Sequence, residues 1–326
     1  MSVKIAIVQK PPVALDRSRS IAMAAETVTG LASGGVELIV FPEAWIPGYP
    51  VWIWRLRPGT DRALSSRIHG RLLENAVDLA ADHLDPLREA AARGRTTVVL
   101  GLHEIDRRGS GSTLFNTVVV IGPEGRILHR HRKLVPTHPE RMVWGMGDGS
   151  GLRVVDTPVG RIGTLICWEN YMPLARYALY AQGLEVLVTP TWDWGERWVA
   201  SMRHIAREGG TWVLATATAM QGADIPEDFP GRELLFPDAG EWLNEGGALV
   251  VRPVGDLLAG PLSREKGVLF AEIDPGAARR ARRLLDVTGH YSRPDIFHLA
   301  VDRASRPPVV FVEEEASSNA LLPSPA

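Results

Sequence analysis

The stretch that decides the fold is Arg161-Ile-Gly-Thr-Leu-Ile-Cys-Trp-Glu-Asn170, which holds the sole cysteine of the 326-residue chain, Cys167. Its apolar, β-favouring part predicts a strand over 161–167, and helical spacing begins soon afterwards, over 173–183. Open α/β folds keep their chemistry at the carboxyl ends of strands. Cys167 is therefore a candidate nucleophile, although a free cysteine taken alone is more often a buried packing residue.

The rest of the chain alternates between apolar, β-branched runs and helical spacing. Further strands are predicted at 3–8, 37–41, 97–102, 116–121, 185–189, 212–216, 248–252 and 268–273, and further helices at 17–31, 69–93, 196–208 and 275–285. Several strands are apolar on both faces, whereas 116–121 leads into Gly122-Pro-Glu-Gly125 like one arm of an antiparallel hairpin. The mixture favours two sheets packed on each other with helices outside over one doubly wound sheet.

Composition excludes several classes of protein. Hydrophobic residues make up 45% of the chain, and 36 basic residues against 38 acidic ones give a net charge of −2, so nothing favours binding of nucleic acid or an anionic membrane. One cysteine rules out an internal disulfide or a Cys-based metal centre, and the nine histidines form no H-E-x-x-H pattern. With no signal-peptide arrangement at the N-terminus, we expect a cytoplasmic protein.

No Pro/Ser-rich linker and no internal repeat divides the sequence. We therefore expect one domain over residues 1–303 and a C-terminal extension over 304–326. The last ~12 residues are rich in Ser, Ala and Pro, a composition typical of a flexible tail.

Two further ionisable residues stand at the ends of apolar runs. Glu43 lies in Leu38-Ile-Val-Phe-Pro-Glu-Ala-Trp-Ile-Pro-Gly-Tyr-Pro50, and Lys133 lies in His129-Arg-His-Arg-Lys-Leu-Val-Pro-Thr-His-Pro-Glu140. Singly, the glutamate reads as a capping or solvated carboxylate and the lysine as part of a charged face. Together with a thiol they are what thiol-mediated hydrolysis requires. A thiol of pKa ~8.5 needs a base or a cation, a desolvated carboxylate can be that base, and a lysine can stabilise a developing anion.

With these stretches in order, the chain resembles the nitrilase (carbon–nitrogen hydrolase) superfamily, and within it the nitrilase branch. Phe41-Pro-Glu-Ala is similar to the motif around the family's catalytic glutamate, His131-Arg-Lys-Leu-Val-Pro-Thr to that around its lysine, and Cys167-Trp-Glu-Asn to its nucleophile motif in the nitrilase form. Similar stretches at 140–149, 201–206 and 286–295 extend the resemblance from residue 3 to about residue 303.

The resemblance implies a fold, an assembly and an activity. The fold is a four-layer α-β-β-α sandwich that pairs through helices near the active site into an eight-layer homodimer, which can extend into larger spirals. The activity is hydrolysis of an organic nitrile to the carboxylic acid and ammonia through a cysteine thioimidate and thioester. Cys167, Glu43 and Lys133 are the implied catalytic residues, assisted by a second glutamate at Glu140, with no metal or organic cofactor.

Three alternatives remain at this stage. Two belong to the same superfamily, an amidase and a cyanide-hydrolysing enzyme, and the third is a non-catalytic binding protein of the same fold. Trp168, directly after the thiol, favours the nitrilase branch over the amidases.

Tryptophan usage predicts a substrate pocket. The chain has 10 Trp against 7 Phe and 5 Tyr, and many follow the ends of predicted strands. We expect Tyr49, Trp168 and Trp192 to line a pocket for an apolar or aryl-bearing nitrile. Trp52, Trp54 and Trp198 are expected in the core.

Overall fold

A computed structural model describes residues 2–107, 109–305 and 309. The strands are β1 Val3–Val8, β2 Leu38–Val40, β3 Thr97–Ile105, β4 Leu114–Ile121, β5 Ile127–Arg132, β6 Val155–Thr157, β7 Gly160–Thr164, β8 Val186–Pro190, β9 Trp212–Thr216, β10 Ala219–Gln221, β11 Trp242–Val251, β12 Leu257–Ser263 and β13 Val268–Ile273. The helices are α1 Arg17–Ser33, α2 Arg62–Glu74, α3 Asp85–Gly94, α4 Pro173–Tyr180, α5 Glu196–Gly209, α6 Arg232–Leu235 and α7 Gly276–Ala281.

The strands form two mixed sheets. The first runs β13-β1-β2-β3-β4-β5, in which β1, β2 and β3 are parallel and the outer pairings are antiparallel. The second runs β10-β11-β9-β8-β7-β6, with β12 paired to β11, and its parallel centre is β7-β8-β9. The predicted hairpin at Gly122-Pro-Glu-Gly125 is confirmed, because β4 and β5 pair antiparallel across it.

Three apolar layers hold the sandwich together. The inner faces of the two sheets meet in a core of fully buried side chains such as Ile5, Val99, Ile162 and Val188. The outer face of the first sheet is covered by α1 and α3, and that of the second by α4 and α5. Because each helix buries one apolar face on a sheet, the order of layers is α-β-β-α, as predicted.

Several predicted elements were wrong in their bounds, and one of these errors has a clear tertiary cause. The helix predicted over 69–93 is interrupted, because α2 ends at Glu74 and α3 begins only at Asp85. Between them, Val77 leaves the helical path to exchange backbone hydrogen bonds with the end of β3, donating to His103 and accepting from Ile105. The strand predicted over 161–167 stops at Thr164, and Cys167 begins a short 3-10 turn instead.

The C-terminal parts of the chain differ in a similar way. The helix predicted over 275–285 is short, since α7 spans only Gly276–Ala281. The predicted extension lies outside the described residues except for 304, 305 and 309, and so does the predicted flexible tail. In the described part of the chain, none of the helices has the length and hydropathy needed to cross a bilayer.

Candidate active site

The loop after β2 carries Glu43 into the interior. Glu43 as a whole is 1% exposed. The loop lies directly on β3 at Gly101, where an added Cβ would stand 2.2 Å from the Pro42 carbonyl oxygen and 2.7 Å from the Ala44 nitrogen. A glycine is needed there, because any side chain would push the Glu43 loop away from the strand.

Lys133 follows β5 and points at two carboxylates. Its Nζ lies 2.9 Å from Glu43 Oε1 and 2.7 Å from Oε2 of Glu140, which sits in a 3-10 turn over His138–Met142. Asn116 on β4 donates to the same Glu43 Oε1 at 2.7 Å. All four side chains are fully buried, so the ion pairs are shielded from solvent.

The charges in this cluster do not balance, and this shapes the proton affinity of Glu43. Two carboxylates share one ammonium, so the ionised cluster carries a net charge of −1. Burial, together with the charge of Glu140, raises the pKa of Glu43 to about 7 against the opposing pull of Lys133. Burial also opposes the charge on Lys133, but Glu43, Cys167 and Glu140 outweigh it and raise the pKa of the lysine above its ordinary value.

Glu43 is therefore poised to exchange a proton near neutral pH. One of its oxygens, Oε2, is buried and has no hydrogen-bond partner among the residues that the structure describes. A buried carboxylate oxygen without a partner is costly unless a reacting group supplies the missing hydrogen bond.

Cys167 stands at a strained turn between the strand β7 and the helix α4. Its φ is +54°, a left-handed value that non-glycine residues rarely adopt and that turns between a strand and a helix use to expose a nucleophile. Burial, with the charge of Glu43 adding to it, raises the pKa of the thiol well above its ordinary value. Lys133 and a hydrogen bond from Thr191 Oγ1 to the sulfur at 3.1 Å act in the opposite direction.

A buried glutamate, Glu169, joins the two chain segments that carry the lysine and the thiol. One carboxylate oxygen accepts the backbone N–H of Leu134, next to Lys133, at 2.6 Å. The other accepts the backbone N–H of Ile166, next to Cys167, at 2.7 Å and lies 2.9 Å from His131 Nε2. The carboxylate thus fixes the separation between the two reactive side chains.

An aromatic cavity of about 330 Å³ opens above the thiol. It is lined by Tyr49, Val51, Trp54, Arg55, Thr137, Glu140, Cys167, Trp168, Trp192, Asp193, Trp194 and Leu243. Tyr49 and Trp192 stack face to face, with ring centroids 4.3 Å apart, and the Tyr49 hydroxyl donates to Glu140 Oε1 at 2.7 Å. The hydrogen bond connects the wall of the cavity to the charged cluster.

The structure brings all seven predicted site residues into one region. Cys167, Glu140, Tyr49, Trp168 and Trp192 line the cavity, and Glu43 and Lys133 lie behind Glu140 in the hydrogen-bonded cluster.

The core prediction was correct for Trp52 and Trp198, which are buried, and wrong for Trp54, which is 50% exposed and lines the cavity. Trp54 Nε1 lies within 3.3 Å of the Tyr49 hydroxyl, so its polar edge faces the site rather than the core.

Sequence reasoning missed three polar residues of the site: Asn116 and Thr191 contact Glu43 and the Cys167 sulfur directly, and Glu169 holds the backbone next to Lys133 and Cys167. Thr191 directly follows β8, so the strand-end position that marked Cys167 could also have marked it. Asn116 could have been found as a polar side chain in an otherwise apolar strand.

Within residues 2–107 and 109–305, no group of three or more His, Cys, Asp or Glu side chains could hold a metal ion.

The fold and the site define a class. The chain belongs to the carbon–nitrogen hydrolase family, whose model matches residues 4–283, and it is therefore a hydrolase of carbon–nitrogen bonds. It is 38% identical over 322 residues to Nitrilase 2 of Arabidopsis thaliana, covering 96% of this chain and 92% of that protein. It is 37% identical over 308 residues to the Aliphatic nitrilase of Sinorhizobium fredii, covering 94% and 98% of the two chains.

A solved structure supports the fold independently. The carbon–nitrogen hydrolase from Helicobacter pylori superposes with a TM-score of 0.67 at 19% identity, covering 91% of this chain and 97% of that one. At this identity the likeness concerns the fold alone. It agrees with the predicted α-β-β-α sandwich.

Proposed function

We propose that the protein is a nitrilase that hydrolyses an organic nitrile to the carboxylic acid and ammonia. The observation that carries the proposal is a thiol on a strained turn at the floor of an aromatic cavity, beside a buried carboxylate with a pKa of about 7. Similarity over nearly the full length to two proteins named as nitrilases supports it.

The first half of the reaction forms a covalent adduct. Glu43 Oε2 takes the proton of Cys167 as the sulfur attacks the nitrile carbon, which forms a C–S bond and opens one C–N π bond. The nitrile nitrogen takes up a proton, giving a thioimidate. Proton transfer from Cys167 to Glu43 leaves the net charge of the cluster and the thiol together unchanged, so it requires no new counter-ion.

The second half consumes two waters. Glu43 activates the first water, which adds to the thioimidate carbon, and ammonia leaves as the C–N bond breaks, giving a thioester. The second water breaks the C–S bond, releases the acid and restores the thiol. Lys133 stabilises the anionic nitrogen and oxygen that develop, a role worth about 3–4 kcal/mol for a well-placed donor. Glu140 holds Lys133 in position.

The cavity favours an organic nitrile over cyanide. A space of about 330 Å³ walled by aromatic rings offers apolar contact to a side chain that cyanide lacks. We propose an apolar or aryl-bearing nitrile as substrate. Trp192→Ala should raise KM for an aryl nitrile far more than for acetonitrile, because it removes the ring stacked on Tyr49. An equal change for both substrates would contradict this assignment.

The catalytic roles are tested by three separate variants, Cys167→Ala, Glu43→Gln and Lys133→Ala. Each should lose nitrile turnover while keeping a native circular dichroism spectrum. Near-normal ammonia release by any one of them would remove that residue's role.

The rival functions are separated by substrate. Ammonia released from an amide but not from the matching nitrile would identify an amidase, and ammonia from cyanide alone would identify a cyanide hydrolase. If the folded protein fails to react with a stoichiometric electrophilic nitrile probe at Cys167, it is a binding protein.

We also propose that residues 1–303 form one domain and that the protein assembles as a homodimer able to extend into spirals. Exposed apolar side chains next to the site support a dimer through α4, among them Tyr171, Met172 and Leu174, which is 65% exposed. Light scattering of the wild type and of Leu174→Glu tests this. A monomeric mass for the wild type would exclude the dimer.

A further inference from the structure

The sulfur of Cys167 has a fixed hydrogen-bond donor that does not belong to the charged cluster. Thr191 Oγ1 donates to Sγ at 3.1 Å, and Thr191 is 1% exposed. Its hydroxyl is itself oriented, because Oγ1 accepts the backbone N–H of Asp193 at 2.8 Å. With this acceptor site occupied, the hydroxyl proton is directed toward the sulfur.

The loop that carries Thr191 is anchored to the residue after the nucleophile. Asp193 Oδ2 accepts from Trp168 Nε1 at 2.8 Å, and Oδ1 accepts the backbone N–H of Trp194 at 2.8 Å. The turn that begins at Cys167 and the loop after β8 are therefore joined at two points, the sulfur and the indole of Trp168. These hydrogen bonds hold the Thr191 hydroxyl at a fixed position relative to the Cys167 sulfur.

A hydrogen-bond donor at the sulfur would add to the stabilisation of a Cys167 thiolate, which Lys133 provides only in part. Lys133 already forms ion pairs with Glu43 and Glu140, so its charge is shared between two carboxylates before a thiolate forms. Among the described residues, the sulfur receives a hydrogen bond from Thr191 and from no other side chain. Hydrogen bonds to an ionised acceptor are roughly twice as strong as those between neutral groups, so this contact strengthens as the sulfur becomes anionic.

We propose that Thr191 is a catalytic residue that stabilises the Cys167 thiolate by donating a hydrogen bond to it as Glu43 removes the proton. The same donor stabilises the thiolate again when the C–S bond of the thioester breaks. Thr191 complements Glu43: the carboxylate receives the proton and the hydroxyl stabilises the charge left behind. The inference rests on the proposed function for its place in turnover, but the state of the thiol can be measured without a nitrile.

The test is alkylation of Cys167 by iodoacetamide, in which a C–S bond forms, iodide leaves and the thiol proton passes to Glu43. Because Cys167 is the sole cysteine, intact mass reports its modification directly. Rates are measured from pH 5.5 to 9 for the wild type, Thr191→Val, Thr191→Ala and Thr191→Ser. Thr189→Val is the matched control, since Thr189 is buried in β8 two residues before Thr191 and its hydroxyl donates to the Met202 sulfur and the Leu214 carbonyl rather than to Cys167.

The two variants without a donor should be alkylated ~10-fold more slowly at the high-pH plateau, as expected for loss of a hydrogen bond to a charged group. Their acidic limb should stay near pH 7, because Glu43 sets it. Thr191→Ser and Thr189→Val should match the wild type. A wild-type plateau in Thr191→Val, an equal loss in Thr191→Ser, or failure of both donor-less variants to fold would each overturn the proposal.

The experiment also separates this inference from the proposed function. If alkylation depends on the Thr191 donor but no nitrile is hydrolysed, the thiolate donor stands and the nitrilase assignment fails. If nitriles are hydrolysed but alkylation is independent of Thr191, the reverse holds.

Discussion

Replacing Asn116 with leucine should shift the pH at which the enzyme becomes active. Asn116 Nδ2 donates to Glu43 Oε1 at 2.7 Å, and both side chains are buried. This bond favours the ionised carboxylate, so its loss raises the pKa of Glu43. Leucine has a similar volume, and the one Asn116 oxygen it removes has no hydrogen-bond partner among the described residues, so no other group loses a contact.

The size of the shift follows from the strength of the bond. A hydrogen bond to a charged group contributes about 1.5–3 kcal/mol, and one pKa unit corresponds to about 1.36 kcal/mol, so the pKa of Glu43 should rise by ~1–2 units. From a starting value of about 7, the ionised fraction at pH 7 falls from one half to between about 9% and 1%. Since only the ionised form can accept the thiol proton, kcat/KM at pH 7 should fall ~5- to 50-fold.

The assay is kcat/KM for a nitrile from pH 5.5 to 9.5, followed by ammonia release. The wild type should show an acidic limb near pH 7, and Asn116→Leu should show the limb displaced upward with activity largely recovered at pH 9.5. Asn244→Leu is the matched control, because Asn244 is buried and donates to the Trp192 carbonyl rather than to Glu43. It should leave the limb in place. If the acidic limb of Asn116→Leu does not move, then either Glu43 is not the base or the Asn116 hydrogen bond does not lower its pKa.

Two further substitutions test the support of the site. Glu169→Gln presents an amide NH₂ to either the Leu134 or the Ile166 N–H, so the free energy of unfolding should fall by about 1–3 kcal/mol in urea titrations. Its kcat should fall more than its KM changes. An unchanged kcat would show that Glu169 is not needed to fix the separation between Lys133 and Cys167. Gly101→Ala should displace the Glu43 loop and lower kcat ~10- to 100-fold, because small misplacements of reacting groups are costly. Gly70→Ala, which has open space around it, should leave kcat unchanged.

The fold was predictable where burial alone dictates structure. Runs such as 3–8 and 212–216 are apolar almost throughout and emerged as β1 and β9 with the predicted bounds. Local spacing failed where a tertiary contact competed with it. The stretch from Asn75 to Leu84 keeps helical spacing, but backbone pairing of Val77 with β3 offers its N–H and C=O groups better partners than a continued helix.

The charged residues of the site were predictable because ionisable side chains at the ends of apolar runs are conspicuous. The neutral ones were not. Asn116 and Thr191 each contact a reactive group through one hydrogen bond, and nothing in a one-dimensional pattern shows which side chain a buried amide or hydroxyl will meet. The sequence also predicted Cys167 at the end of a strand. In the structure it lies three residues beyond the end of β7, at a strained turn that apolar spacing does not reveal.

The two-sheet architecture divides the reaction between the layers of the sandwich. Glu43 and Lys133, the proposed base and cation, follow strands of the first sheet, and the Cys167 thiol follows β7 of the second. The separation of the proposed base and the thiol therefore depends on the packing of the apolar layer between the sheets. A substitution that removes one methyl group from that layer, far from any substrate, should change the distance between the Cys167 thiol and the Glu43 carboxylate without unfolding the chain. We accordingly expect activity to be lost on heating at a lower temperature than that at which the sheets unfold.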